Sequence, residues 1–385
     1  NLMPLKFVFG PSGSGKSTYL YQHVIEESEK YPLKNFIVLV PEQFTMQTQK
    51  DLVSMHPRHG IMNIDVLSFA RLAYRVFEET GTKQMQVLDD EGKNLILRKI
   101  AGDYENKLTV LKGNIKKLGY ISEVKSVISE FTQYDIGEEE MDEMLDHLDE
   151  DSRLYYKLKD IRLLYEGFQD YLRERYITKE ELLDVLNSQV KESELLKNSV
   201  VVLDGFTGFT PVQNRLILEL MRCCKEVWVT VTMDERENPY AYKHPYQLFG
   251  LSKQMVTTLV RMAGEDHIEV EEPVCLYGYP VKRFEKNQEL AFLERNIFRY
   301  GAGRYDKAVE NLEIHAAGNP RQEADAVAEG IRRLVRKEQY RYRDIGVIVS
   351  DMNVYGDYLE QAFENYGIPV FMDHKRSILL NSFVE

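Results

Sequence analysis

The sequence predicts an α/β protein: a parallel sheet covered by helices, interrupted by a helical insertion and followed by part of a second α/β unit. Three observations predict it. Short runs of β-branched and aromatic residues alternate with amphipathic stretches over the first 88 residues. Strand signals vanish from 89 to 197 and return at Ser199. A fresh alternation of strand and helix patterns opens near Asn311. Parallel strands need crossover connections and are covered on both faces, so they read as short continuous apolar runs.

The elements follow in order. Leu5-Lys6-Phe7-Val8-Phe9 is a short buried strand, and Thr18 to Ile25 begins a helix. Asn35–Val40 is a second strand, closed by Pro41, and Ile64–Leu67 a third, leading into a helix over Ser68–Glu79. From 89 to 197 helical spacing dominates, as in Leu154, Leu158, Ile161, Leu164, Tyr165, Phe168 and Leu172. Ser199–Leu203 and Glu226–Val231 resume the first sheet. Thr232–Gly303, punctuated by Pro239, Pro245, Pro273 and Pro280, reads as irregular or short elements. Leu312–Ala316 and Asp344–Ser350 are expected as strands, with helices over Gln322–Arg336 and Tyr355–Asn365. The expected organisation is therefore 1–88, the first part of an α/β domain; 89–197, a helical insertion; 198–303, that domain resumed plus an irregular linker; and 304–385, part of a second α/β domain. The chain reads as a fragment of a longer protein.

Composition bounds the function. With 43% hydrophobic and 29% charged residues the chain has the balance of a soluble globular protein. No apolar run reaches membrane-spanning length and no N-terminal signal pattern is present, so no membrane partner is expected. Cys223, Cys224 and Cys275 lack metal-ligand spacing; the adjacent pair reads as buried core thiols, and a cytoplasmic home is expected. A net charge of −13 argues against wrapping nucleic acid over the whole surface and leaves a local basic groove open. Gly137–Asp151 holds nine carboxylates and no lysine or arginine, which suits a solvated helix face or a surface that repels DNA or docks a basic partner.

The run Gly10-Pro11-Ser12-Gly13-Ser14-Gly15-Lys16-Ser17-Thr18 fits G-x-x-x-x-G-K-[ST] between a strand and a helix, the setting a P-loop needs. Glycines let backbone N–H groups turn inward around a triphosphate, and the helix N-terminus adds partial positive charge. Lys16 would reach the β- and γ-phosphates of ATP, and Ser17 would ligate Mg²⁺. A second acidic element is expected at a strand end, and Val200-Val201-Val202-Leu203-Asp204 has that form, making Asp204 the second Mg²⁺ residue.

The segment DGFTGFTPVQ, Asp204–Gln213, resembles the UvrD-type helicase motif DEYQDTNPLQ. Asp204, Pro211 and Gln213 match; the helicase glutamate that polarises the attacking water falls on Gly205, and the following glutamine on Thr207. Gly205 has no side chain to act as a base. DVLSFARLAYRVF, Asp65–Phe77, resembles the DNA-contacting helicase segment TFHSFAxRLL at Ser68, Phe69 and Ala70. EADAVAEGIRRL, YRDIGVIVS and LEQAFENYGIPV resemble the second motor domain of those helicases. Together with LVPEQFTMQTQKDL, Leu39–Leu52, and the end FMDHKRSILL, these segments make the chain similar throughout to the B subunits of AddAB-type helicase–nucleases.

The resemblance implies a RecA-like P-loop fold with part of a second RecA-like domain. It implies a role in processing double-stranded DNA ends for recombinational repair, an AddA-type helicase subunit as heterodimer partner, and double-stranded ends and single strands as DNA ligands. The family's nuclease domain and its four-cysteine iron–sulfur cluster belong to a C-terminal region whose motifs are absent here, so neither is assigned. Gly205 suits a degenerate motor that keeps nucleotide and weakens hydrolysis. DNA contacts are expected at Gln43, Phe44 and Thr45 after the second strand, and at Ser68 and Arg71. Phe44 reads equally as a base-stacking side chain or as a loop aromatic folded onto the core, and Phe69 as core. Lys375 and Arg376 read as phosphate contacts or as solvated charges. Arg321, Arg332, Arg333 and Arg336 match no helicase arginine motif and read as solvated helix residues. Two other functions stand beside this one: a fully active DNA-stimulated ATPase with another carboxylate as base, and a small-molecule kinase, which the helical insertion and second α/β unit disfavour.

Overall fold

Among the described residues eight extended runs pair into strands: β1 (Leu5–Gly10), β2 (Asn35–Leu39), β3 (Ile64–Leu67), β4 (Gln86–Val87), β5 (Tyr176–Ile177), β6 (Ser199–Leu203), β7 (Glu226–Thr232) and β8 (Val274–Cys275). The helices are α1 (Lys16–Lys30), α2 (Thr45–Met55), α3 (Phe69–Thr80), α4 (Asp90–Asp103), α5 (Leu118–Gln133), α6 (Glu138–Asp146), α7 (Arg153–Leu172), α8 (Leu182–Gln189), α9 (Glu194–Lys197), α10 (Pro211–Cys223), α11 (Gly250–Glu265), α12 (Gln288–Asn296), α13 (Pro320–Lys337) and α14 (Met352–Asn365). This computed structural model describes residues 4–81, 86–115, 117–173, 176–301 and 303–372. They fall into two compact units, one reaching Tyr305 and the other starting at Asp306.

Six strands of the first unit form one sheet in the order β3-β2-β6-β7-β1-β8, with every pairing parallel. Successive side chains of a strand face opposite sides, and the sheet is covered on both. Phe7, Phe9, Ile37, Leu39, Val201, Leu203 and Val229 join a core with side chains of α3, α8, α10 and α11. Val8, Phe36, Val38, Val200, Val202 and Trp228 join another with α1 and α2. All five residues of β6 are buried, as a central parallel strand requires. One strand, β7, separates β6 from the P-loop strand β1.

The chain leaves the sheet after α3 and returns at β6. In between, α4, α5 and α7 build a second core from Leu97, Ile100, Leu111, Ile115, Ile128, Leu164 and Phe168. The ladder of β4 with β5 pairs the two ends of this excursion. Asp160 on α7 is 2% exposed and holds the loop before α5. Its oxygens accept from Thr109 N (2.9 and 3.0 Å), Thr109 Oγ1 (3.0 Å) and Leu111 N (2.8 Å). α8 and α9 follow the excursion, and Leu182, Leu186 and Leu196 pack into the α/β core. The acidic run forms α6, where Arg162 of α7 pairs with Glu138 and Asp142 and Met141 is buried.

Two expectations differ. Thr232–Gly303 contains a 16-residue helix, α11, which buries Met255, Val256, Leu259 and Met262. Its start carries no capping side chain; Phe249 takes a left-handed φ of 59° instead, so no start signal is written in the sequence. Leu312–Ala316 and Asp344–Ser350 are not strands among the described residues. A strand exists only through ladder partners, and neither run pairs, so Ile314 and Ile348 stand 100% and 97% exposed. The core of the second unit is the contact of α13 with α14 through Ala324, Ala328, Ile331, Leu359, Ala362 and Phe363.

Replacing Asp160 by alanine leaves the part-buried Thr109 N–H and the buried Leu111 N–H without an acceptor. We expect a loss of about 2–4 kcal/mol, read as a lower urea midpoint. An unchanged midpoint would refute this role.

Candidate nucleotide site

The glycine run folds as a tight loop between β1 and α1, the place a P-loop takes. β1 ends at Gly10 and α1 starts at Lys16. Gly13 and Gly15 take φ values of 81° and 92°, the left-handed region that side chains avoid. A Cβ on Gly10 would lie 2.9 Å from the Leu276 carbonyl, so that position has no room for one. Lys16 folds back over the loop, and its Nζ donates to the Gly10 and Pro11 carbonyls, both at 2.9 Å. Burial lowers the Lys16 ammonium from its ordinary value to about 8; Asp204 and Glu294 oppose that shift, and the Arg283 charge adds to it. Ser14 Oγ is enclosed and lacks a hydrogen-bond partner. Ser17 and Thr18 sit in the first turn of α1, where free N–H groups favour an anion.

Asp204 ends the run of β6 as the sequence predicts, and its backbone N–H donates to Leu39 O at 2.9 Å. The carboxylate is 5% exposed. Tyr21 OH of α1 donates to Oδ2 and Thr230 Oγ1 of β7 to Oδ1, each at 2.6 Å. Burial, then the Asp204 charge, pushes the Tyr21 hydroxyl far above the usual tyrosine range, so it stays a donor. The sequence reading missed Tyr21 and Thr230. The signal was a tyrosine one turn into the helix after the P-loop and a hydroxyl inside an apolar strand.

Mg²⁺ keeps several waters and takes one or two protein oxygens beside phosphate. The Ser17 hydroxyl suits that role. Asp204 suits it only through water, because both its oxygens already accept short hydrogen bonds.

Gly205 takes φ 80°. A Cβ there would meet Pro41 Cδ at 3.7 Å and Phe44 Cδ2 at 4.0 Å, so space is available and the backbone conformation is the obstacle. The helicase-like residues that follow build the next helix. Pro211 is the first residue of α10, and Thr210 and Gln213 cap each other.

The residues expected to touch DNA share the edge where β2 and β3 end. Gln43 and Phe44 lie in a 3-10 turn after β2, and Phe44 is 48% exposed. Arg71 is exposed and pairs with Glu42 at 3.3 Å. Thr45 is buried and donates to the Glu42 carbonyl, while Ser68 is buried and caps α3. Phe69 packs against Phe206 and Phe209. Gln43, Phe44 and Arg71 thus offer free surface, and Thr45 and Ser68 spend their hydroxyls on the backbone. Lys375 and Arg376 lie outside the described residues. Arg333 pairs with Glu313 in the second unit, and Arg332 donates to Tyr342 OH. Cys223 and Cys224 are buried and Cys275 is exposed, all free. No described helix is long and apolar enough to cross a membrane.

A family model described as ADDB, N-terminal, matches residues 7–294. The chain is similar over its whole length to proteins named as the B subunit of an ATP-dependent helicase/deoxyribonuclease. The one from Lachnoclostridium phytofermentans is 45% identical, the match covering 100% of this chain and 34% of the relative. That from Clostridium kluyveri is 34% identical, with 99% and 33% covered, and that from Alkaliphilus oremlandii 33% identical, with 100% and 33% covered. The chain spans about a third of the length of the curated relatives it matches.

Tyr21→Phe removes one of two donors from a buried carboxylate. We expect a loss of about 2 kcal/mol in a denaturant titration, since hydrogen bonds to charged acceptors contribute about 1.5–3 kcal/mol. A neutral effect would mean that water reaches Asp204.

Proposed function

Because this chain belongs to the family of AddB N-terminal regions, we propose that it is the ATP- and DNA-binding, helicase-like part of a subunit that works with an AddA-type partner on double-stranded DNA ends. Its own motor is silenced at Gly205. The observation that carries this reading is the pairing of a complete phosphate loop with a left-handed glycine where the helicase pattern has its glutamate. Backbone N–H groups from Gly13 to Thr18 would bind the triphosphate, and Lys16 would leave the Gly10 and Pro11 carbonyls to meet the β- and γ-phosphates. Ser17, with Asp204 through water, would hold Mg²⁺, which neutralises phosphate charge when bound. Gln43, Phe44 and Arg71 would meet single-stranded DNA, Phe44 by stacking and Arg71 by exchanging Glu42 for phosphate. The state of the nucleotide would then govern DNA binding more than translocation.

A fully active ATPase is the second reading. The observation in its favour is Glu294, whose carboxyl burial pushes up and whose charge acts on Lys16. A raised carboxyl near the loop is a candidate base.

Binding and turnover measured together separate the two. The silenced motor predicts Mg²⁺-dependent ATP binding that Lys16→Ala abolishes, with negligible turnover with or without single-stranded DNA. Brisk DNA-stimulated turnover lost in Glu294→Gln would establish the second reading. Gly205→Glu is expected to gain no turnover and to lose about 1–2 kcal/mol of stability, because its left-handed backbone resists any side chain. A rise in ATP hydrolysis would contradict that.

The lowered Lys16 value fixes a pH dependence. Phosphate favours the ammonium form, so binding takes up a proton wherever free Lys16 is neutral. Affinity is therefore fully present below about 8 and falls above it, by up to about tenfold per pH unit. ATP titrations at neutral and alkaline pH test this, and a flat profile would exclude Lys16 as the phosphate contact.

A further inference from the structure

The acidic helix α6 forms one wall of an open cleft of about 720 Å³ in the helical block, lined mostly by apolar side chains of α5, α6 and α7. Two of the walls repeat at a helical interval. α7 contributes Leu154, Leu158 and Ile161, at i, i+4 and i+7. α6 and its C-terminal cap contribute Glu140, Met144 and His147 at the same interval. α5 adds Phe131. Leu154 is 59% exposed and Met144 40%, so the seam between the helices is unfilled. Two helix faces with this interval make the kind of groove into which a third amphipathic helix sets its own i, i+3, i+4 and i+7 side chains.

The walls are braced by ion pairs. Arg162 Nη2 of α7 donates to Asp142 Oδ2 of α6 at 2.9 Å. Arg215 Nη2 of α10 donates at 2.9 Å to Asp135 Oδ1, in the turn before α6. A preformed groove spares a guest part of the ordering cost of association. The charge beside the groove has one sign. Of the nine carboxylates in Gly137–Asp151, Arg162 takes Glu138 and Asp142. Among the described residues the others have no cation in ion-pair range, and Lys157 is the one lysine or arginine lining the cleft. Such a rim repels phosphate and attracts a guest that carries cations beside its apolar stripe.

We propose that this cleft is a docking site for a basic amphipathic helix of a second protein. The apolar stripe of the guest fills the seam along Leu154 and Met144, and its lysines and arginines face Glu140, Glu143 and the free carboxylates of α6. No residue of the cleft belongs to the nucleotide site, so the two stand or fall separately.

The test is fluorescence anisotropy of two labelled synthetic helical peptides titrated with the chain. Both carry the same stripe of leucines; lysine and arginine flank it in one, and glutamate in the other. Wild type is compared with Leu154→Gln, Met144→Gln and the double variant Glu140→Lys/Glu143→Lys. All four side chains are exposed, and melting of each variant checks the fold. We expect the basic peptide to bind wild type at least about tenfold more tightly than the acidic one, and less tightly as salt is added. Leu154→Gln and Met144→Gln should each weaken it about tenfold, as loss of an apolar anchor does. The double lysine variant should reverse the preference between the peptides. Equal binding of both peptides would reduce the cleft to an unspecific apolar patch and overturn the proposal. So would no binding, or binding that Leu154→Gln and Met144→Gln leave unchanged. Self-association of the chain in sedimentation, lost in Leu154→Gln, would make a second copy the occupant instead. Binding lost when the chain is extended by the further length its relatives have would assign the cleft to a later segment of the polypeptide and overturn the proposal.

Discussion

A carboxylate buried at the end of a parallel strand must be satisfied, and much of the sheet edge is arranged around that need. Asp204 takes one hydroxyl from Tyr21 on α1 and another from Thr230 on β7. An unpaired buried charge costs several kcal/mol, so these bonds fix the rotation of α1 against β6 and hence the aim of the loop preceding α1. The same constraint limits what Asp204 can do: a group engaged by two short hydrogen bonds is a scaffold first and a metal partner only through water.

Left-handed glycine backbone recurs at the loop before α1 and at the turn after β6. Left-handed φ at Gly13 and Gly15 turns amides inward to make an anion site. Left-handed φ also occurs at Gly205, the position that aligns with the glutamate of the UvrD-type motif. A side chain introduced at Gly205 would have to take a backbone conformation that L residues rarely adopt. At the end of the turn between β6 and α10, Thr210 caps the helix.

Charge is organised with the same economy. Acidic residues predominate overall, and Arg236, Arg295 and Arg299 are matched by Asp234, Glu235 and Glu237. The acidic helix α6 lies in the helical block, where Arg162 gathers its inner face. Net charge therefore says little about the site, whose field depends on which charges are already paired.

The sequence by itself determined β1, β2, β3, β6 and β7 of the first sheet, because a buried parallel strand has to be a continuous apolar run, but not the two-residue edge strand β8; it determined the glycine loop between β1 and α1, because glycine spacing is a backbone requirement; and it determined Gly205 as the departure from the helicase motif. Tertiary structure decided the rest. Leu312–Ala316 and Asp344–Ser350 have strand composition, but strands are made by partners, which a single run cannot specify. α11 opens on a left-handed Phe249 with no capping residue, so only its packing against the sheet defines it. Tyr21 and Thr230 reach Asp204 through contacts spanning up to 183 residues of chain, and no local spacing encodes a meeting of that kind. Ser68 and Thr45 show the converse: their hydroxyls sit in helicase-like segments, and the fold spends them on the backbone.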